Sequence, residues 1–495
     1  STSHALPRAF EDDLRIYIRI IWFILFVTAT GACSYFIITN VLTYLKYSTT
    51  TSININRESP THFASVTFCN LNPFNFKRSK LYIDMVIDNN NLSFVRRLSA
   101  SNLINKTSYQ LTTELLDLIR SSVFSNQSLS DQERYNMGFT LNEMLVSCFY
   151  DNHVCNSSLF TTSITYDYGN CYTFNGDSSN IMTTTKSGQF SGLQMELFVG
   201  NSLIDESFTI NRGIYVVVHN QSVIPLYRDE GLSAPTGFQT NIAISRTFIS
   251  KLASPFSSCV DGTSATSYNS ELYQIIFNQL KMNTYRQKFC YKLCYQKFIK
   301  KECNCTDVAL PNVDSKIAPC TTSKQLKCSL DATEKFEKSP VTSQCASDCP
   351  LECDQINYQT SVYLSNYPTD YYSNMLQMQP NLINKFTKNS TNTSQIKDNV
   401  VKLNIFYQDL TYTIISDSEE YSIYSLWANI GGYLGLFLGI SLLSLTETII
   451  FTIMLFDLII THLVSKCKKK PKEHVKPKEE TKNQNKPNTV RFNKV

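Results

Sequence analysis

The run "IIWFILFVTATGACSYFIITNVL", Ile20 to Leu42, carries no charge and is long enough to cross a hydrocarbon core of about 30 Å as a helix. It is too long, and starts too deep in the chain, for a cleaved signal peptide, and no small-residue cleavage site follows it. A second apolar run extends from Ser425 to Val464. One span takes roughly 20 residues, so this run suits two spans or a single long, tilted or broken one. Charge decides between them. Arg8, Arg15 and Arg19 precede the first run, and "KCKKKPKEHVKPK", from Lys466, follows the second. Lys and Arg mark cytoplasmic flanks, so both ends are expected inside the cell and the second run crosses once. The expected layout is a cytoplasmic N-terminus (1–19), a transmembrane helix (20–42), an extracellular region (43–424), a second transmembrane helix (425–464) and a disordered basic tail (465–495). The tail's charge serves topology and contact with anionic lipid.

Two counts agree with an outer location for the middle. Of 16 cysteines, all but Cys33 and Cys467 lie there, an even set that reads as disulfides in an oxidising compartment. Every N-x-S/T sequon also lies there: Asn91, Asn105, Asn126, Asn156, Asn220, Asn304, Asn389 and Asn392. Histidine is scarce and no paired CxxC pattern occurs, so a zinc site is not expected. A net charge of +4 with 42% apolar residues fits neither a disordered chain nor a nucleic-acid binder.

The outer region mixes strand and helix patterns, an α+β domain. "HFASVTFCNL" alternates, "GLQMELFV" and "GIYVVVHN" read as neighbouring strands, and "NVVKLNIFYQDLTYTIIS" gives one or two more. "YQLTTELLDLIRSSVF" has helical spacing. "NSELYQIIFNQLKMNTYRQKFCYKLCYQKFIKKEC" reads as one long helix, and beyond it the chain looks loop-like to Cys353. Cys290 and Cys294 lie one turn apart, and Cys345 and Cys349 share that spacing. Two such faces running antiparallel would pair Cys290 with Cys349 and Cys294 with Cys345, although spacing alone fixes no connectivity.

No enzyme signature is present: no G-x-S-x-G, no HExxH and no Cys-His nucleophile context. No cofactor is expected. The unusual chemistry lies in the second apolar run. Gly432, Gly435 and Gly439 recur at three- and four-residue steps, a spacing that lets helix backbones approach closely. Glu447 and Asp457 lie in the same run with no Lys or Arg between Ser425 and Val464. Intramembrane acids usually face a water path or a partner. A cation path lined by hydroxyls, carbonyls and an acid ring satisfies them, and one such helix per chain calls for several subunits around an axis. The rival, a non-conducting adhesion or receptor glycoprotein with two anchors, accounts for the cysteines and sequons but not for these acids and glycines.

These residues resemble the degenerin/epithelial sodium channel superfamily. "FASVTFCNLNPF" is similar to its post-membrane motif, "GNCYTFN" to its cysteine-aromatic signature, and "GIYVVVHNQSVIP" to its palm. "SPFSSC" is similar to the segment leading to the thumb, and "CASDCPLECDQINYQTSVYLSNYP" to the thumb-to-palm return. "NIGGYLGLFLGISLLSLTE" is similar to the second transmembrane helix. The resemblance implies a chalice-like trimer with a palm sheet and helical thumb and finger. It implies that Gly439, Ile440 and Ser441 form the selectivity filter, interrupting the helix, and that Ala428 sits where small residues permit closure. Gly432, Gly435, Glu447 and Asp457 would belong to the pore and gate, and Tyr47 with Phe256 to a gating contact. It implies disulfides Cys69–Cys171, Cys148–Cys155, Cys259–Cys353, Cys303–Cys328 and Cys305–Cys320, and agrees with the ladder pairs Cys290–Cys349 and Cys294–Cys345.

Departures narrow the type. The N-terminal gating motif, normally His-Gly, is His4-Ala5, and Phe256 stands where Trp is usual. The chain opens without Met, which leaves its natural start open. Acid-sensing members carry a His pair after the Tyr; here Ser48 and Thr49 follow Tyr47, and neither titrates near neutral pH. No R-x-K/R-R processing site or PPxY segment points to the constitutive epithelial type. The chain most resembles the invertebrate, cnidarian-type, neuropeptide-gated sodium channels. The expected function is therefore an amiloride-sensitive sodium channel subunit of the plasma membrane, working in a homo- or heterotrimer and opened by an extracellular peptide. Sodium is the expected permeant ion and calcium a second candidate; an acid-gated or constitutively open channel is the alternative.

Overall fold

The computed structural model describes residues 15–89, 108–126, 128–201, 209–221, 223–311, 317–379, 393–439 and 442–467. They form two compact units, one made of the segments up to Lys46 and from Tyr421 onward, the other of Tyr47–Glu420.

The first unit opens with α1 (Ile16–Tyr44), 29 residues with a mean hydropathy of 2.0 in its most apolar window. At 1.5 Å per residue it is longer than the roughly 30 Å of a hydrocarbon core. It extends beyond the expected 20–42 at both ends, because backbone hydrogen bonding continues into the polar flank that hydropathy excludes. Its threonines add no bare hydroxyl to lipid. Thr28, Thr30, Thr39 and Thr43 each donate to the carbonyl four residues earlier, at 2.8–3.0 Å.

The second unit is built on two sheets. The larger has the order β13 (Asp354–Asn366), β12 (Phe238–Ser250), β14 (Val400–Glu419), β9 (Leu193–Phe198), β4 (Leu145–Tyr150), β5 (His153–Val154), with β1 (Thr49–Arg57) also pairing β14. The smaller has the order β11 (Leu232–Pro235), β10 (Gly213–His219), β3 (Ser65–Asn70), β7 (Gly169–Phe174), β6 (Phe160–Thr165). Both sheets contribute to one core. Phe68, Tyr172 and Ile214 meet Leu193, Ile242 and Leu403, all essentially inaccessible. Full burial of such a side chain is worth about 1.5–3 kcal/mol, so this interface is a main source of stability for the unit. A third, two-stranded sheet pairs β2 (Thr61–His62) with β8 (Thr183–Thr184).

One strand expectation changes, and one is narrowed. "GLQMELFV" and "GIYVVVHN" are not neighbours: β9 lies between β14 and β4 in the larger sheet, β10 between β11 and β3 in the smaller. Alternation identifies a strand but not its partner. "NVVKLNIFYQDLTYTIIS" is one strand, β14, with a register irregularity opposite Ile244 and Arg246.

Helices fill the periphery. α2 (Phe76–Asn89) and α3 (Ser108–Phe124) share a core of Ile83, Val86, Ile87, Leu115, Ile119 and Val123. The expected long helix is two, α4 (Glu271–Asn278) and α5 (Gln287–Cys303). Between them Lys281 takes φ 52°, and the Tyr285 N–H donates to Gly262 O. The break brings the Tyr285 ring to 4.5 Å from that of Tyr273. The stretch expected as loop holds α6 (Ser323–Glu337) and α7 (Val341–Asp348). A capping box between Thr322 and Gln325 starts α6, a T-x-x-Q signal present in the sequence. In the next segment, α8 (Asp370–Gln377) precedes β14.

The chain then returns to the first unit. The second apolar run is α9 (Ile423–Tyr433), a five-residue π turn (Leu434–Leu438) and α10 (Leu442–Cys467). It thus exceeds the expected 425–464 by about a turn in total, again because helix geometry outlasts the apolar window.

Candidate functional site

The site is the interruption of the second membrane helix. Ser422 starts α9 by accepting the Ser425 N–H at 3.1 Å. The helix is held to α1 by Asn429 Nδ2 donating to Asn40 Oδ1 at 3.4 Å. Phe36 of α1 stacks on Tyr433 and Phe437, at 5.5 and 5.7 Å between centroids. Aromatic stacking and an amide pair, both outside any salt bridge, suit a helix pair in an apolar solvent.

The π turn ends at Gly439, which takes φ 65° while its N–H donates to Gly435 O at 3.1 Å. This left-handed conformation costs a residue with a Cβ roughly 1–2 kcal/mol and costs glycine nothing. A helix end leaves carbonyls without intrahelical partners, and such groups are what a pore uses to replace an ion's water. A Cβ added at Gly432 or Gly435 meets nothing within 4 Å. Packing inside this chain therefore does not demand glycine there, and the backbone is bare on that face. Ala428 is exposed on α9. Asp457 is exposed on α10, along a face with Ile449, Thr452, Ile453, Phe456 and Ile460. Ile440, Ser441, His4 and Ala5 lie outside the described residues, as does the side chain of Glu447.

In the second unit Tyr47, itself at φ 50°, meets Phe256 edge-on, 5.6 Å between centroids. The loop carrying Phe256 is fastened at its base. Ser257 Oγ donates to Leu252 O at 2.6 Å, and Cys259 is joined to Cys353. The other disulfides are Cys69–Cys171, Cys148–Cys155, Cys303–Cys328 and Cys305–Cys320, with Cys290–Cys349 and Cys294–Cys345 as two rungs between α5 and the α7 region. Among the sequons, Asn156 and Asn304 are exposed, Asn126 and Asn220 are partly covered, and Asn91, Asn105, Asn389 and Asn392 lie outside the described residues.

Sequence reasoning missed three polar clusters, each with at least one buried or partly buried member. Arg246 pairs with Glu58 at 2.6 Å, and that guanidinium, before the Thr61 hydroxyl, holds the Glu58 carboxyl below its usual range. His219 bonds Thr67 Oγ1 at 2.7 Å and the Asn220 carbonyl at 2.8 Å, and burial pushes its pKa down. In the middle of α3, burial pushes Asp117 up despite Arg120 and Arg228, with Asp167 and Asp307 adding to the rise. Arg228 Nε donates to Asp167 at 2.9 Å, and the Tyr166 hydroxyl to Asp117 O at 3.1 Å. Arg246–Glu58, His219–Thr67 and Arg228–Asp167 each join residues distant in sequence, so no local pattern announces them.

Two apolar helical segments, one before and one after a disulfide-rich α+β domain in the sequence, make this a membrane protein of two-span type. The family described as amiloride-sensitive sodium channel matches residues 1–451, and the chain belongs to it. Acid-sensing ion channel 1C of Danio rerio is 27% identical over 467 residues, covering 90% of this chain and 80% of that protein. The bile acid-sensitive ion channel of Homo sapiens is 26% identical, covering 91% and 83%. Epithelial sodium channel subunit gamma of Neoceratodus forsteri is 28% identical over 72% of this chain, which spans only 53% of that longer subunit. A solved proton-activated chloride channel aligns with 89% of this chain at a TM-score of 0.33 and 7% identity, too distant to bear on the fold. The chain is thus a sodium or cation channel subunit of the degenerin/epithelial sodium channel superfamily and not an enzyme.

Proposed function

We propose that this subunit forms, with two homologous subunits, an amiloride-sensitive sodium channel opened by a short, amidated, cationic neuropeptide. Both termini are cytoplasmic. The observation that carries the pore reading is the left-handed break at Gly439, inside the family-matched membrane helix. Gly439, Ile440 and Ser441 from three chains line the filter, and their carbonyls replace part of the ion's water shell. Glu447 and Asp457 raise the cation concentration nearer the cytoplasmic mouth, and Ala428 leaves room for closure. The peptide binds an outer acidic and aromatic crevice between subunits and favours the open state by its differential affinity. Support for a ligand other than the proton comes from Ser48 and Thr49, which cannot titrate near neutral pH.

One observation favours the acid-gated alternative. Asp117, pushed up by burial beside Asp167 and Asp307, takes up a proton at a higher pH than an exposed aspartate. Whole-cell current from cells expressing the chain with sister subunits separates the readings. Amidated RF-type peptides, then a step to pH 5, are applied with and without amiloride. Peptide-evoked, amiloride-blocked current is expected; current on acidification alone supports the Asp117 reading instead.

A further inference from the structure

β14 changes partner halfway along its length. From Val400 to Ile405 it pairs with β9, and from Thr411 to Glu419 it pairs with β1. At the changeover its register with β12 slips: from Ile244 to Arg246 β12 advances two residues, while from Tyr407 to Tyr412 β14 advances five. The extra residues include exposed Gln408 and Asp409. Below the slip, β1 and the end of β14 pair antiparallel at nine positions, a ribbon that stays bonded to β12 from Tyr412 to Ser416. Both strands of this ribbon continue into membrane helices, β1 from α1 through residues 45–48 and β14 into α9 through residues 420–422. A ribbon beyond a register slip is the natural place for a sheet to bend.

One side chain crosses that joint. Arg246 is only 6% exposed and sits at the first position below the slip. Its guanidinium lies 5.2 Å from the Tyr407 ring centre above the slip, and 5.5 and 5.8 Å from Tyr412 and Phe248 below it. Its Nη2 donates to Glu58, the residue after β1, at 2.6 Å. Glu58 also accepts from Thr61 Oγ1, and its own N–H donates to Leu410 O inside the slip. The cation therefore touches the upper sheet, the lower sheet and the end of the ribbon at once.

We infer that Arg246 is a positioning residue for gating: with Glu58 it clamps the ribbon that leads to both membrane helices against the upper sheet. A gating movement that reaches the pore through the ribbon has to work against this clamp. Arg suits the place because its planar group can stack on several rings while keeping one edge for a carboxylate. The inference rests on the chain being a channel subunit, not on which ligand opens it.

Hydrogen exchange on the purified full-length chain tests the clamp. In Glu58→Gln, amides of 49–57 and 411–419 are expected to exchange roughly tenfold faster, with 65–70 and 169–174 unchanged. Glu58→Asp, which keeps the carboxylate and leaves Arg246 on its rings, is expected to retain most of the protection. An unchanged ribbon in Glu58→Gln, or reference strands that accelerate equally, overturns the clamp. A second readout needs no ligand. The rate at which Ala428→Cys reacts at the cell surface with a charged, membrane-impermeant thiosulfonate is compared with and without Glu58→Gln. Chains lacking the introduced thiol correct for Cys33 and Cys467. A change of about threefold, largely absent in Glu58→Asp, is expected for a clamp that biases the pore. An unchanged rate alongside a loosened ribbon overturns the link to gating.

Discussion

The Phe256 ring meets the Tyr47 ring edge-on, with 5.6 Å between centroids and 84° between planes. Tyr47 begins the extracellular unit directly after the first membrane helix, and Phe256 sits in a loop fastened by Cys259–Cys353. An edge-to-face pair is worth about 0.5–1.5 kcal/mol beyond its burial. Phe256→Leu keeps the apolar bulk and loses that geometry. It is expected to raise the half-activating agonist concentration roughly two- to tenfold, with Phe256→Trp near wild type. Concentration–response curves for the evoked current check both.

At Gly439 the backbone itself is the constraint. Gly439→Ala places a Cβ at φ 65° and is expected to cost about 1–2 kcal/mol locally, distorting the filter. Gly432→Ala has open space within the chain and ordinary helical geometry, so it stabilises the isolated helix by up to about 1 kcal/mol. Measured permeability ratios are expected to change for Gly439→Ala. Loss of surface oligomers in Gly432→Ala would indicate that a neighbouring helix packs against that bare face.

His219 gives the extracellular unit a pH dependence with a definite sign. Burial lowers its pKa from the ordinary 6.5, so its neutral form belongs to the folded state. The resulting stability is present above pH 6.5 and is lost as pH falls toward the folded value, at up to about 1.4 kcal/mol per pH unit. Melting temperatures between pH 7.5 and about 5 are expected to fall less steeply in His219→Gln, which stays neutral.

Ala428 is the smallest side chain with a Cβ and is exposed on α9. Ala428→Phe is expected to produce a standing, amiloride-blocked current without agonist, because closure would have to accommodate the ring. A variant that closes fully would remove Ala428 from the gate.

Several of these features are legible in the sequence because they rest on local periodicity. The first span follows from an uncharged run, and the Cys290–Cys349 and Cys294–Cys345 rungs match a pairing that the shared four-residue spacing suggests without fixing. What escapes is set by tertiary partners. Nothing local tells β9 and β10 that they belong to different sheets, or Arg246 that Glu58 lies opposite across 188 residues. The break between α4 and α5 escapes because the apolar spacing runs on through it, while Tyr285 is drawn instead to Gly262 and Pro350. The capping box at Thr322 was readable and outweighed by the polar, cysteine-rich composition around it.

The pore account turns on Ser441, two residues after the break at Gly439. The most direct measurement is the reversal potential of the open channel in sodium and then potassium solutions, for wild type and Ser441→Leu. The account expects a sodium preference in wild type and a clear shift of the ratio in the variant. Identical ratios in both, with current intact, would contradict the placement of the filter at Gly439, Ile440 and Ser441.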